Sequence, residues 1–170
     1  MANNYSKYQV IRVSPTLETS EYESGDVLFN SVAIPNAVLG NGGCSKLVAA
    51  FLRQDPSTNN EMEIIFTENS ATFGTVNATA NISDADIKAA NVLGYFACES
   101  ADDTTNFIDN SEIKRIHDNR SNASESSPGF SPILLQAASD STSVYFAAIG
   151  SATITYGADD LEFIFHIERQ

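Results

Sequence analysis

The sequence predicts an all-β fold, an antiparallel β-sandwich of short strands with one short helix. Three observations carry this. Residues 161–168 alternate almost perfectly, with Leu161, Phe163, Phe165 and Ile167 on one side and Glu162, His166 and Glu168 on the other, as a half-buried strand requires. Gly, Pro, Asn and Asp punctuate the chain about every ten residues, the rhythm of a sandwich. Charged residues make up 18% of the chain, and Ser, Thr, Asn and Ala are abundant. That composition suits strands and turns better than long helices. A jelly-roll arrangement is the preferred form, and an immunoglobulin-like sandwich is the second.

The elements follow in order. Residues 8–13 alternate as a strand ended by Ser14-Pro15, because proline has no N–H for a ladder. Residues 22–26 read as a turn on Ser24-Gly25-Asp26, and 27–34 as a second strand closed by Pro35-Asn36. Asn41-Gly42-Gly43 is a turn. Residues 46–53 are apolar on both faces, which predicts a central strand covered on both sides. Residues 61–67 place Met62, Ile64 and Phe66 inward and Glu61, Glu63 and Thr67 outward; with 46–53 they read as a hairpin around a polar loop. Ser83-Asp84-Ala85-Asp86 is a helix start, with Ser83 as cap and acidic residues in the first turn. The helix spans residues 84–90, because 92–98 already reads as a strand.

The region 106–117 is ambiguous between a short helix and an irregular strand carrying Ile108, Ile113 and Ile116. Residues 118–129 (DNRSNASESSPG) read as an exposed loop or arm. Short strands return at 133–136, 143–149 and 152–156. With no internal repeat or linker, the chain is expected to be one domain over residues 8–170, preceded by a flexible N-terminal arm, residues 1–7.

Charge excludes several functions. The 170 residues carry 22 acidic and 9 basic side chains, a net charge of −13. Such a balance opposes docking on nucleic acid, whose phosphates call for Lys and Arg, and on anionic membranes. The first residues lack the apolar core of a signal peptide, and no apolar run is long enough to span a bilayer. The expectation is synthesis in a cytoplasm, with no nucleic-acid and no membrane partner. Cys44 and Cys98 are too few for a disulfide framework and are expected as buried, reduced thiols.

The chemistry-bearing residues are sparse. His166 is a base, a ligand or, more commonly for such a residue, a surface or interface histidine. His117 has no motif around it, and two unlinked histidines do not make a zinc site. Asn41-Gly42-Gly43-Cys44 has the look of a reactive-cysteine turn, yet a hairpin turn entering the strand at Lys46 is by far the commoner explanation. Asp84 and Asp86 are explained by capping. Glu99 with Asp102 and Asp103, and Asp159 with Asp160, are oxygen-rich loops to weigh for Ca²⁺. No nucleophile elbow, phosphate loop or dinucleotide fingerprint is present. No catalytic, cofactor-binding or metal-binding residue is assigned, and a non-enzymatic protein without cofactors is expected.

Several segments resemble a group of small virion proteins. Tyr22-Glu23-Ser24-Gly25-Asp26-Val27 is similar to its Y-x-x-G-D-V segment. Asn36-Ala37 precedes a Gly-rich turn and a strand, and Glu63-Ile64-Ile65-Phe66 and Ser83-Asp84-Ala85-Asp86 follow in the same order. Ser143-Val144-Tyr145, Thr155-Tyr156 and Asp160-Leu161-Glu162-Phe163 complete the likeness. The group is the capsid decoration (cement, or head accessory) proteins of tailed bacteriophages; residues 106–129 depart from its pattern. The resemblance implies a viral structural protein at the capsid surface of the virion, made in the host cytoplasm. Its partners would be the major capsid protein and itself, as a homotrimer clamping neighbouring capsid subunits. An interface patch is expected near Ile164 and His166. Two other readings stay open: a carbohydrate- or receptor-binding sandwich of a phage fibre or baseplate, and an enzyme on a jelly-roll scaffold.

Overall fold

The structure, a computed structural model, describes residues 7–55, 61–98, 104–106, 111–116 and 132–170. The described strands are β1 (Tyr8–Val13), β2 (Glu21–Tyr22), β3 (Val27–Ile34), β4 (Cys44–Gln54), β5 (Met62–Thr67), β6 (Val92–Cys98), β7 (Thr104–Asn106), β8 (Glu112–Arg115), β9 (Ile133–Gln136), β10 (Val144–Gly150), β11 (Ile154–Thr155) and β12 (Leu161–Arg169); helix α1 (Asp84–Ala90) lies between β5 and β6.

The strands form two facing antiparallel sheets. The first runs β1-β12-β4-β8-β7, with β9 also paired to β4; the second runs β3-β10-β5-β6, and β2 and β11 form a small ribbon. If β8 and β9 are taken together, the eight main strands form sheets β1-β12-β4-β8/β9 and β3-β10-β5-β6, in which only β5 and β6 follow each other within one sheet, the order of a jelly roll. The first-choice architecture read from the sequence is therefore the one observed. β8 and β9 occupy one strand line. Glu112 to Arg115 pair with Gln54 to Phe51, and Ile133 to Gln136 continue along the same strand against Leu47 to Cys44.

The core lies between the sheets and is aromatic at its centre. Phe146 of β10 meets Phe163 and Phe165 of β12 at ring separations of 5.0 Å each, edge to face. Phe29 and Phe66 extend the cluster at 5.4 Å and 6.4 Å from Phe146. The alternation of 161–168 thus does what it predicts: Leu161, Phe163, Phe165 and Ile167 are all buried. At the sandwich edge, Gly94 of β6 leaves room for Ile133 of β9, whose Cδ1 would stand 3.0 Å from any added Cβ.

Helix α1 begins and ends as its residues dictate. The Ser83 hydroxyl accepts the Asp86 N–H at 3.1 Å, satisfying one first-turn donor. Asn91 closes the helix in the left-handed region (φ 51°) and bonds back to the Lys88 carbonyl, a conformation that Asn tolerates. Two turns are too short to stand alone. Ile87 packs on the outer face of the second sheet with Ala71, Phe73, Ala80 and Ile82, against Val27 and Ala147 of the strands. Asn30 stitches this covering down: its side chain accepts the Phe73 N–H at 2.7 Å and donates to the Gly74 carbonyl at 3.0 Å.

Several local expectations are corrected. Residues 46–53 and 61–67 are not a hairpin: β4 pairs with β12, β8 and β9, whereas β5 pairs with β10 and β6 in the other sheet. Hydrophobic alternation fixes which face of a strand is buried, not which strand lies beside it. Nor is β4 covered on both sides. His166 pairs with Ala49 and Ile167 with Leu47, so Val48 is an extra residue that shifts the phase of the strand. Ser45, Leu47, Ala50, Leu52 and Gln54 are buried while Val48, Ala49 and Phe51 are only half-covered. A second irregularity places Thr67 opposite Val92 and Phe66 opposite Gly94, and Thr67 is fully buried rather than outward. Tyr22, read as part of a turn, is a buried strand residue whose hydroxyl accepts the Glu18 N–H at 2.8 Å. The ambiguous 106–117 region contains a strand, β8, with Ile113 half-covered and Ile116 buried; Ile108 lies outside the described residues. Cys98 is buried but Cys44 is only half-buried, and no disulfide joins them.

Of the expected arm, residues 1–6 lie outside the described residues. Lys7 is fastened to the sheet: its carbonyl accepts the Arg169 N–H at 2.7 Å and its ammonium meets Glu168 at 2.8 Å.

Candidate functional site

The two sheets differ in what lies over them. The outer face of the second sheet is clothed by residues 71–87, although Tyr95 and Val92 of β6 stay exposed beside it. The outer face of the first sheet has no such layer among the described residues. Its side chains stand in rows set by strand register. Tyr8, Glu168, Lys46 and Leu134 form one row across β1, β12, β4 and β9; Val10, His166 and Ala49 form the next. Arg12, Ile164, Phe51 and Arg115 form a third, and Glu162, Arg53 and Ile113 a fourth.

The middle of this face is apolar. Tyr8 is 61% exposed, Val10 52% and Leu134 55%. The His166 imidazole lies against the Phe51 ring at 5.2 Å. Tyr8, Gln9, Val10, Val48, His166 and Ile167 line a shallow recess of about 170 Å³. His166 and Tyr8 are the titratable side chains of its lining, and the rest is amide or apolar. The arrangement offers apolar contact area with a polar tip.

The rim is charged. Glu162 is bracketed by Arg12 at 3.2 Å and Arg53 at 3.5 Å, and Arg53 also pairs with Asp55. The Ser111 hydroxyl and then the Arg53 guanidinium hold the Asp55 carboxyl below the usual carboxylate range. The hydrogen bond from Lys7 lowers Glu168 in the same way, and Glu168 raises Lys7.

The remaining candidates from the sequence fall elsewhere. The turn at Asn41-Gly42-Gly43 is a plain one: Gly43 N–H donates to the Gly40 carbonyl at 2.9 Å, and Gly42 has φ 68°. Asp86 accepts a hydrogen bond from the Ser83 hydroxyl at 2.6 Å, in keeping with capping. The Asp160 carboxylate accepts the Gly157 N–H at 2.5 Å and so closes its own turn. His117, Glu99, Asp102 and Asp103 lie outside the described residues. Among the described residues, no three His, Cys, Asp or Glu side chains gather around one point that would hold an ion, and no helix is long and apolar enough to cross a membrane.

Sequence reasoning missed two features. One is a buried ion pair: Lys114 and Glu112 approach to 3.6 Å with side chains 1% and 8% exposed, and the Gln54 amide donates to Glu112. A buried charge needs such a partner, and the alternation Glu112-Ile113-Lys114-Arg115 gave no sign of which pair faces inward. The other is the cationic rim, whose members are scattered along the chain. No family model, curated protein or solved structure matches this chain.

Proposed function

We propose that this protein is a virion structural protein that binds the outside of a tailed-phage capsid and stabilises the assembled shell, as a homotrimer at the capsid surface. The observation that carries the reading is the outer face of the first sheet, which no other described element covers, with exposed Tyr8, Val10 and Leu134, His166 among them, and a charged rim. That is the anatomy of a protein–protein contact. Much of the opposite face is covered by the chain's own helix and loop, with Val92 and Tyr95 exposed beside them. A ligand that binds only the assembled shell stabilises that shell by mass action. On this reading the protein needs no cofactor and performs no catalysis.

The test is co-sedimentation with expanded shells built from the major capsid protein of the same genome, with light scattering to give the mass in solution. Saturable binding and an increase in shell melting temperature support the reading. Absence of binding to expanded shells would overturn it.

A second reading, a carbohydrate- or receptor-binding module of a fibre or baseplate, is favoured by one feature: the exposed Tyr8 ring at the mouth of the recess, a surface on which a sugar ring stacks. Glycan-array binding abolished by Tyr8→Ala would select it.

A further inference from the structure

Five of the chain's nine Lys and Arg residues, Lys7, Arg12, Lys46, Arg53 and Arg115, gather on the bare face of the first sheet. Three carboxylates, Asp55, Glu162 and Glu168, stand among them, and all three are already engaged by Arg12, Arg53 and Lys7. Lys46 and Arg115 make no ion pair within 4 Å among the described residues. Among the described residues this face thus carries more cations than carboxylates, on a chain of net charge −13. The clothed side carries the reverse among the described residues, with Glu63, Glu68, Asp84 and Asp86 around Lys88.

The segregation is a product of strand order. The five cations come from the start of the chain, from β4 and from β8, and only the order β1-β12-β4-β8 sets them on one face. Scattered evenly, nine cations among 22 carboxylates would leave every face acidic.

Resting on the capsid reading above, we propose that the bare face of the first sheet is the surface that meets the shell, and that the capsid surface it meets is an apolar patch bordered by carboxylates. Lys46, which stands opposite Glu168 and helps to lower its carboxyl, and Arg115 lie at two edges of the apolar middle, placed to meet acidic partners. Charge complementarity of this kind steers encounter and selects the partner. It also fixes orientation, because the acidic clothed side is repelled by the same carboxylates. Nucleic acid fits less well: phosphate binding needs a run of uncommitted cations, and here three of the five are already paired with Glu162 or Glu168.

The experiment compares wild type, K46E/R115E and the clothed-side control K88E, each first shown to be folded by near-UV circular dichroism. Binding to expanded shells is measured at low and high salt. The proposal expects wild-type affinity to fall as salt rises, K46E/R115E to lose at least tenfold, and K88E to bind as wild type. Equal binding by wild type and K46E/R115E overturns the proposal while leaving the capsid reading intact. Failure of wild type to bind any shell overturns the capsid reading itself. A change in solution mass for K46E/R115E would make this face a contact between copies of the chain, and salt-sensitive duplex DNA binding lost in that variant would make it a nucleic-acid surface; either result overturns the proposal.

Discussion

Ile116 donates its N–H to the Ala50 carbonyl at 3.0 Å, and Ile133 pairs with Leu47 on the same strand, with only Val48 and Ala49 between. The two isoleucines are therefore near neighbours along one strand line, although residues 117–132 separate them in sequence. β8 and β9 are two halves of a single jelly-roll strand, with residues 117–132 inserted between them in sequence opposite the Val48 bulge.

Replacing residues 117–132 by a two-residue link is therefore expected to preserve the fold. Loop closure costs only ~0.6 kcal/mol per doubling of length, so stability should change by no more than about 2 kcal/mol. Thermal melting and far-UV circular dichroism of the shortened protein check this. Loss of cooperative unfolding would show that the two halves are not one strand.

Phe146 is the hub of the aromatic core. Phe146→Ala removes contacts with Phe29, Phe66, Phe163 and Phe165 together and should cost about 3–5 kcal/mol in denaturant unfolding. Phe146→Leu should cost distinctly less.

Thr67 is fully buried, and its hydroxyl has no hydrogen-bond partner among the described residues. Thr67→Val keeps the shape and removes the unsatisfied group, so it should stabilise the protein by roughly 1–2 kcal/mol. A destabilised variant would mean that the hydroxyl is satisfied in solution, for example by water.

Ser83→Ala removes the cap of α1 and should cost about 0.5–2 kcal/mol. The loss should be local. Amide exchange should rise first over residues 84–91 and over the outer face of the second sheet that Ile87 covers, while the aromatic core stays protected.

The Lys7–Glu168 pair makes the β1–β12 seam pH-dependent in a defined sense. The Glu168 carboxyl is lowered below its ordinary 4.5, so its contribution is present above that pH and is lost as pH falls through the lowered value. Lys7 is raised above its ordinary 10.5, so its contribution holds below that pH and is lost as pH rises through the raised value. Protection of the Arg169 amide, which donates to Lys7, should decline at both extremes. Lys7→Met should flatten both limbs.

Much of the fold was legible because local signals and burial agree. The alternation of β12, the cap at Ser83 and the turn at Asn41 to Gly43 each follow from a few adjacent residues. What was not legible depends on partners distant in sequence. Val48 and Leu93 are single extra residues that invert the phase of a strand, and nothing in their side chains announces a bulge. The sheet change between β4 and β5 is set by packing, not by the alternation within either strand. β8 reads as ambiguous because half of its strand line lies beyond an insertion. The outward side of Ile164 and His166 was legible from the alternation of β12, but Ile164 is buried there, and the cations around these residues come together only through strand order.

The hydrogen bond between Arg169 and Lys7 ties the two ends of the described chain side by side on antiparallel neighbours. That geometry has a mechanical meaning. Tension applied between residues 7 and 169 would load the ladder one rung at a time, starting at this bond, and peel β1 from β12 as a zipper opens. Pressure spread over the face of the same sheet would instead be shared by every rung at once. A molecule wired this way is stiff as a plate and weak as a tether, so a cargo fused to either end would be held only as firmly as that first rung.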